Sequence, residues 1–82
     1  MSNPISVEAR FSEDGSILPL KFNWQGQAYT ITSHGRQWEE NGVLHFLVMA
    51  AGDNAFELTY HTDERSWRLQ RSPTEFGRRD LT

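Results

Sequence analysis

Apolar and polar residues alternate with a period of two along most of the chain, the pattern of strands that bury one face. Ile5, Val7, Ala9 and Phe11 alternate with Ser6, Glu8 and Arg10. Glu13-Asp14-Gly15-Ser16 follows, and Asp-Gly tolerates the positive φ of a tight turn. A second strand is predicted over about Ile17 to Trp24, with Leu18, Leu20, Phe22 and Trp24 on one face. Pro19 cannot donate to a ladder, which predicts an edge or a bulge where this strand begins. A turn over Trp24-Gln25-Gly26-Gln27 leads into a third strand carrying Tyr29 and Ile31. Ser33-His34-Gly35 interrupts that pattern, so a bulge or bend is expected before the strand resumes around Trp38.

Asn41-Gly42 is the strongest short hairpin signal in the chain. After it, Leu44, Phe46, Val48 and Ala50 line one face of a strand and Val43, Leu47 and Met49 the other. Apolar residues on both faces predict a central strand or one wrapped by a closed sheet. Phe56, Leu58 and Tyr60 alternate with Glu57, Thr59 and His61 in the next strand. Loop length decides the register here, because a one-residue slip swaps the buried face. A two- or four-residue loop would pair Leu47 with Leu58 and place His45 beside Tyr60. A three-residue loop with a glycine bulge pairs Phe46 with Leu58 and Val48 with Phe56, and is favoured because it joins the cleaner stripes. A turn at Thr62-Asp63-Glu64-Arg65 precedes the last strand, Ser66 to Arg71, with Trp67 and Leu69 inward and Arg68 and Gln70 outward. The expected fold is all-β: a five- to six-stranded antiparallel meander forming a small SH3-like barrel or a strongly curved sheet. It occupies residues 4–71 as a single domain, and 72–82 is expected to be a basic, partly disordered tail.

At 82 residues the core must come from a few large side chains, and aromatic residues make up 12% of the chain. The absence of cysteine removes disulfides and cysteine-ligated zinc, and fits a reducing cytoplasm. Met1 to Arg10 lacks the apolar run of a signal peptide, and the longest apolar run, Phe46 to Ala51, is too short to span a membrane. A soluble, cytoplasmic, monomeric protein is expected, with no membrane partner. The net charge of −3 provides no global basic field. Its distribution is uneven: residues 1–64 hold three Lys or Arg against nine Asp or Glu, and residues 65–82 hold five Arg against two. Arg65, Arg68, Arg71, Arg78 and Arg79 make up that basic end, as a solvated edge and tail or as a patch for an anion or partner.

Chemistry-bearing patterns are sparse. His34, His45 and His61 lack the close spacing of a metal site, although a meander can bring distant strands together. Glu39-Glu40 and Asp63-Glu64 sit at turns, where adjacent carboxylates point apart and serve solubility rather than acid–base work. No nucleophile elbow or phosphate-cradling loop is present. No catalytic residue, metal ligand or cofactor is therefore assigned. Strand parity puts Trp24 and Trp67 in the core and leaves Trp38, beside a bend, as the tryptophan for a surface. Trp67 also lies between Arg65 and Arg68, an arrangement that could hold a phosphate beside a ring.

Trp24-x-Gly26-x-x-Tyr29, then Trp38, an apolar strand ending near Gly52, Glu57-Leu58 and Trp67-x-Leu69 form a spaced series. Over residues 5–70 this series resembles an uncharacterised bacterial family of short domains of unknown function. Such domains are sometimes fused to the C-terminal end of Y-family translesion-polymerase-like proteins. The resemblance implies a bacterial source and a loose association with DNA repair, and no activity or catalytic residue. The function expected is a non-catalytic interaction module, with Arg65, Trp67, Arg68, Arg71 and Trp38 as its binding residues. Its partner is a protein first and a nucleic-acid backbone second. The alternatives are a small metal- or carboxylate-dependent enzyme using the histidines, and a structural accessory domain that docks Val43, Leu47 and Met49 on a larger subunit.

Overall fold

Gln25-Gly26 and Asn41-Gly42 each place both turn residues at positive φ, 51° and 76° in the first and 53° and 80° in the second. Paired positive φ gives the two-residue turn whose twist matches that of the flanking strands, so each turn fixes a hairpin and its register. In the computed structural model, which describes residues 3–73, these hairpins belong to a six-stranded meander. The strands are β1 (Asn3–Phe11), β2 (Ile17–Trp24), β3 (Gln27–Glu40), β4 (Val43–Ala50), β5 (Asn54–His61) and β6 (Ser66–Arg71). All pair antiparallel in chain order and close into a small barrel, consistent with an SH3-like barrel. Closure is brief: Asn3, Pro4 and Ile5 of β1 face Leu69, Arg68 and Trp67 of β6. Residues 74–82, with Arg78 and Arg79 and the expectation of disorder, lie outside the described residues. Among those described, no helix is long and apolar enough to cross a membrane.

The barrel interior holds Phe22, Ile31, Phe46, Val48, Ala50, Phe56, Leu58, Trp67 and Leu69. Phe56 is the hub at one end. Its ring lies 4.9 Å from Phe22, 5.2 Å from Tyr29 and 5.7 Å from Trp24, each edge to face. At the other end Trp67 packs on Tyr60 at 4.9 Å and Phe46 at 5.5 Å. Each large side chain removed from water contributes about 1.5–3 kcal/mol, which is how so short a chain sustains a core. The β4–β5 register is the one expected from a three-residue loop: Phe46 faces Leu58 and Val48 faces Phe56.

Strand β2 departs from its sequence pattern. Leu18, Leu20, Phe22 and Trp24 do not share a face. The register against β1 slips so that Glu8 faces Lys21 and Ala9 faces Pro19, leaving Leu20 unpaired. This bulge reverses the parity of the strand before it. Pro19 turns into the interior and is almost wholly buried, whereas Leu18 and Leu20 are 37% and 38% exposed. A proline without an N–H is accommodated at such a break in the ladder, so Pro19 marks the place where alternation fails.

Strand β3 outruns its neighbour. Lys21–Trp24 of β2 pair with Thr30–Gln27 of β3. From Ile31 onward β3 pairs with β4 alone, with irregularities between Ile31 and Ser33 and between His34 and Gln37. At the second, Gly35 and Arg36 together oppose Leu47 of β4. A Cβ on Gly35 would lie 3.3 Å from the Leu47 carbonyl oxygen, a tight contact that glycine avoids at this bulge. Across the seam between β2 and β3, His34 Nε2–H donates to the Pro19 carbonyl at 2.7 Å.

Candidate functional site

The two-residue turn at Asn41-Gly42 sets Trp38 opposite His45 and Glu40 opposite Val43. Directly opposed residues of an antiparallel pair share a face. Trp38, His45 and Glu40 therefore project together from the outside of the barrel. The Trp38 and His45 rings stack, with centroids 4.9 Å apart and planes 8° from parallel. The Arg36 guanidinium lies over the other part of this row, 5.0 Å from the Trp38 ring centroid, a cation–π contact. Glu40 Oε1 lies 3.8 Å from His45 Nε2. Arg36, Trp38 and Glu40 thus form a line along the free end of β3, positive at one end, negative at the other and aromatic between.

Behind this row is a buried carboxylate. Glu57 is on the outward face of β5 yet only 4% exposed, because side chains of β4 and β6 close over it. His45 Nδ1–H donates to Glu57 Oε2 at 2.8 Å, and Arg71 Nε–H donates to Oε1 at 2.8 Å. Both carboxylate oxygens are satisfied, as a buried charge requires. The pair fixes the His45 ring and through it the stacked Trp38. Thr59 is buried alongside, with its hydroxyl 3.4 Å from the Arg68 carbonyl that accepts from it. His61 meets Thr59 Oγ1 at 3.3 Å. Beyond Arg36 the bulge opens a shallow depression of about 230 Å³, lined by Ser33, Gly35, Arg36, Leu47, Met49 and Ala55 among others.

The five residues expected to bind are divided by this geometry. Trp38 is at the surface and central to the row. Arg71 and Arg68 point outward from β6, but Arg71 is committed to Glu57, and Arg68 Nη2–H donates to Glu64 Oε1 at 2.8 Å. Arg65 is exposed in the β5–β6 turn, held at a φ of 55°. Trp67 is in the core, 9% exposed, between Tyr60 and Phe46. Its ring cannot flank a phosphate beside Arg68, because it is buried in the core and strand parity puts it on the opposite side of the sheet from Arg68. Val43, Leu47 and Met49, the outer stripe of β4, are half-buried rather than bare.

Arg36, Glu40, His45 and Glu57 were not among the residues expected to bind, and His45 and Glu40 entered only through the histidines and turn carboxylates of the enzyme alternative. Two of them carry a readable signal. Arg36-x-Trp38 is a same-face spacing in a strand, and the Asn41-Gly42 turn fixes Trp38 against His45. The link from His45 to Glu57 has no local signal, since it depends on the β4–β5 register. Among the described residues no group of three or more His, Asp or Glu side chains is arranged to hold a metal ion. No family model, no curated protein and no solved structure matches the chain.

Proposed function

We propose that this protein is a non-catalytic interaction module that holds an extended segment of a protein partner against β3. The observation that carries this reading is the length of β3: beyond Thr30 it has no ladder partner in β2 among the described residues, and β2 reaches it there through the Pro19 carbonyl at the His34 side chain. Strand addition to such an edge draws affinity from main-chain hydrogen bonds and specificity from the alternate side chains. Arg36, Trp38 and the depression beside Leu47 and Met49 supply those side-chain contacts. The His45–Glu57–Arg71 network is the support that keeps Trp38 in place. This moves the binding surface from the last strand, where the sequence concentrates arginine, to β3.

A nucleic-acid backbone is the weaker partner on the same surface. Phosphate binding needs cations not already matched by protein carboxylates, and Arg68 and Arg71 each face a glutamate. A displayed library of random peptides, followed by amide shifts on titration of the enriched sequences, tests the proposal. Shifts confined to Arg36–Glu40 and Leu47 are the expected result. Failure to enrich any sequence, or shifts confined to another face, overturns it. Titration with short single- and double-stranded DNA at low salt is the companion experiment. Salt-sensitive shifts at Arg65, Arg68 and Arg71 would transfer the function to nucleic acid.

A further inference from the structure

The row Arg36, Trp38, Glu40 is self-complementary. An isologous interface presents the same patch on both subunits, so whatever lies on one side of the axis must match what lies on the other. Opposed residues of an antiparallel pair share a face, so two β3 edges related by a two-fold axis can meet only in registers that set outward residues against outward residues. With the axis at Trp38, Arg36 faces the partner's Glu40 and, by symmetry, Glu40 faces the partner's Arg36. The two tryptophan rings meet at the centre, and on the other face Gln37 opposes the partner's Glu39. Moving the axis to Gln37 would set Gly35 against the partner's Glu39 and drag the pairing through the bulge between His34 and Gln37. The Trp38 register keeps it within the regular stretch beyond that bulge, with Arg36 at its margin.

We propose that the extended segment received by β3 is the β3 edge of a second copy of this chain, paired antiparallel about Trp38. The proposal rests on the strand-holding reading above and names its occupant. Three observations point to a second copy. The charges of the row alternate in the one order that a two-fold axis repairs. Arg36 is on the outer face, as its contact with Trp38 shows, and so is Glu40, which reaches toward His45. Trp38 is held flat by stacking on a ring that is itself hydrogen-bonded to buried Glu57, so little freedom is lost when it meets a partner. Pairing also covers the unpaired edge of β3, which open sheets otherwise leave as a site for uncontrolled association.

The test is charge reversal read by sedimentation equilibrium over a dilution series. The unaltered chain is expected to dissociate from dimer to monomer on dilution, with exchange of the Arg36–Glu40 amides. Arg36→Glu and Glu40→Arg each set like charges across the axis twice, and each should raise the dissociation constant about tenfold or more. The double variant Arg36→Glu/Glu40→Arg restores opposite charges in the reversed sense and should return the constant to within about threefold of the original. Recovery in the double variant separates a broken interface from a broken fold. A chain that stays monomeric up to about 1 mM overturns the proposal, as does a dimer indifferent to both reversals. In either case the peptide selection decides the underlying reading separately. Peptides that still move the Gln37–Glu40 amides of a monomeric chain would leave strand holding intact with a different occupant.

Discussion

The β4–β5 and β1–β2 hairpins have strands of similar length, but they are built to different tolerances. Between β4 and β5 the register runs unbroken from Val43 opposite His61 to Ala50 opposite Asn54. Between β1 and β2 it slips at Glu8 and Ala9. On β5 four successive residues, Phe56 to Thr59, are buried, two facing the barrel and two lying under neighbouring outer side chains. The β1–β2 hairpin leaves Phe11, Leu18 and Leu20 substantially exposed. A strand covered on both faces resists a one-residue slip, because that slip would put Glu57 into the core in place of Phe56 or Leu58. A strand with a loosely covered outer face can absorb a bulge. The unbroken hairpin also supports the Trp38–His45 stack, so the strand buried on both faces lies behind the candidate surface.

The comparison is broken most severely by Leu58→Ala. Leu58 is completely buried, and the substitution removes its apolar atoms and leaves a cavity in a hairpin that cannot shift to fill it. A loss of about 2–5 kcal/mol is expected by denaturant unfolding. A loss below about 1 kcal/mol would mean that β5 relaxes as readily as β2 and that the two hairpins do not differ in tolerance.

Glu57→Ala is expected to cost less, about 1–3 kcal/mol, because Arg71 is nearly half exposed and rehydrates when its partner goes. Its more informative effect is on the surface. Without Glu57 the His45 ring loses its hydrogen bond, and the Trp38 fluorescence and ring-current shifts should change while the core methyl resonances of Val48 and Leu69 do not. Unchanged Trp38 signals would separate the buried network from the candidate surface.

These two residues also show where sequence was sufficient. Alternation identified Leu58 as core and favoured its register against Phe46, and the pairing of β4 with β5 decides for that register over the one that sets Leu47 against Leu58. Strand parity likewise put Trp67 inside and singled out Trp38, whose position outside the barrel follows from a two-residue turn. Glu57 reads as a solvated strand residue in the same alternation, and its burial comes from the lengths of His45 and Arg71 on two other strands. Leu20 reads as core in a clean stripe of four, and a single unpaired residue after Pro19 turns it out. Local pattern therefore gave the hairpins, whereas the bulge and the three-strand network are set by tertiary pairing. Leu20→Ser sharpens this point, since a residue outside the core should change stability by no more than about 0.5 kcal/mol. A loss comparable to that of Leu58→Ala would restore the uninterrupted stripe.

The smallest effect is expected at the tip of the tolerant hairpin. In the Ser12–Ser16 turn the Asp14 carboxylate accepts from Ser16 N–H at 3.0 Å and from Ser16 Oγ–H at 2.7 Å. Those two bonds, the backbone one first, hold its pKa below the ordinary value of 3.8. A carboxyl whose pKa is depressed on folding stabilises the folded state fully above its unfolded pKa. That stabilisation is lost as pH falls through the folded value. Asp14→Asn keeps the acceptor geometry but removes the charge, so it mimics the protonated residue at every pH. The variant should be slightly less stable than the parent at neutral pH, and the difference should vanish as the solution is acidified below 3.8. Denaturation midpoints of the two proteins, taken pairwise down the pH scale, provide the measurement. A difference that persists in acid would assign the turn's stability to hydrogen-bond geometry alone. A difference that grows in acid would reverse the sign of the Asp14 shift, and the turn would then be held together by something other than its carboxylate.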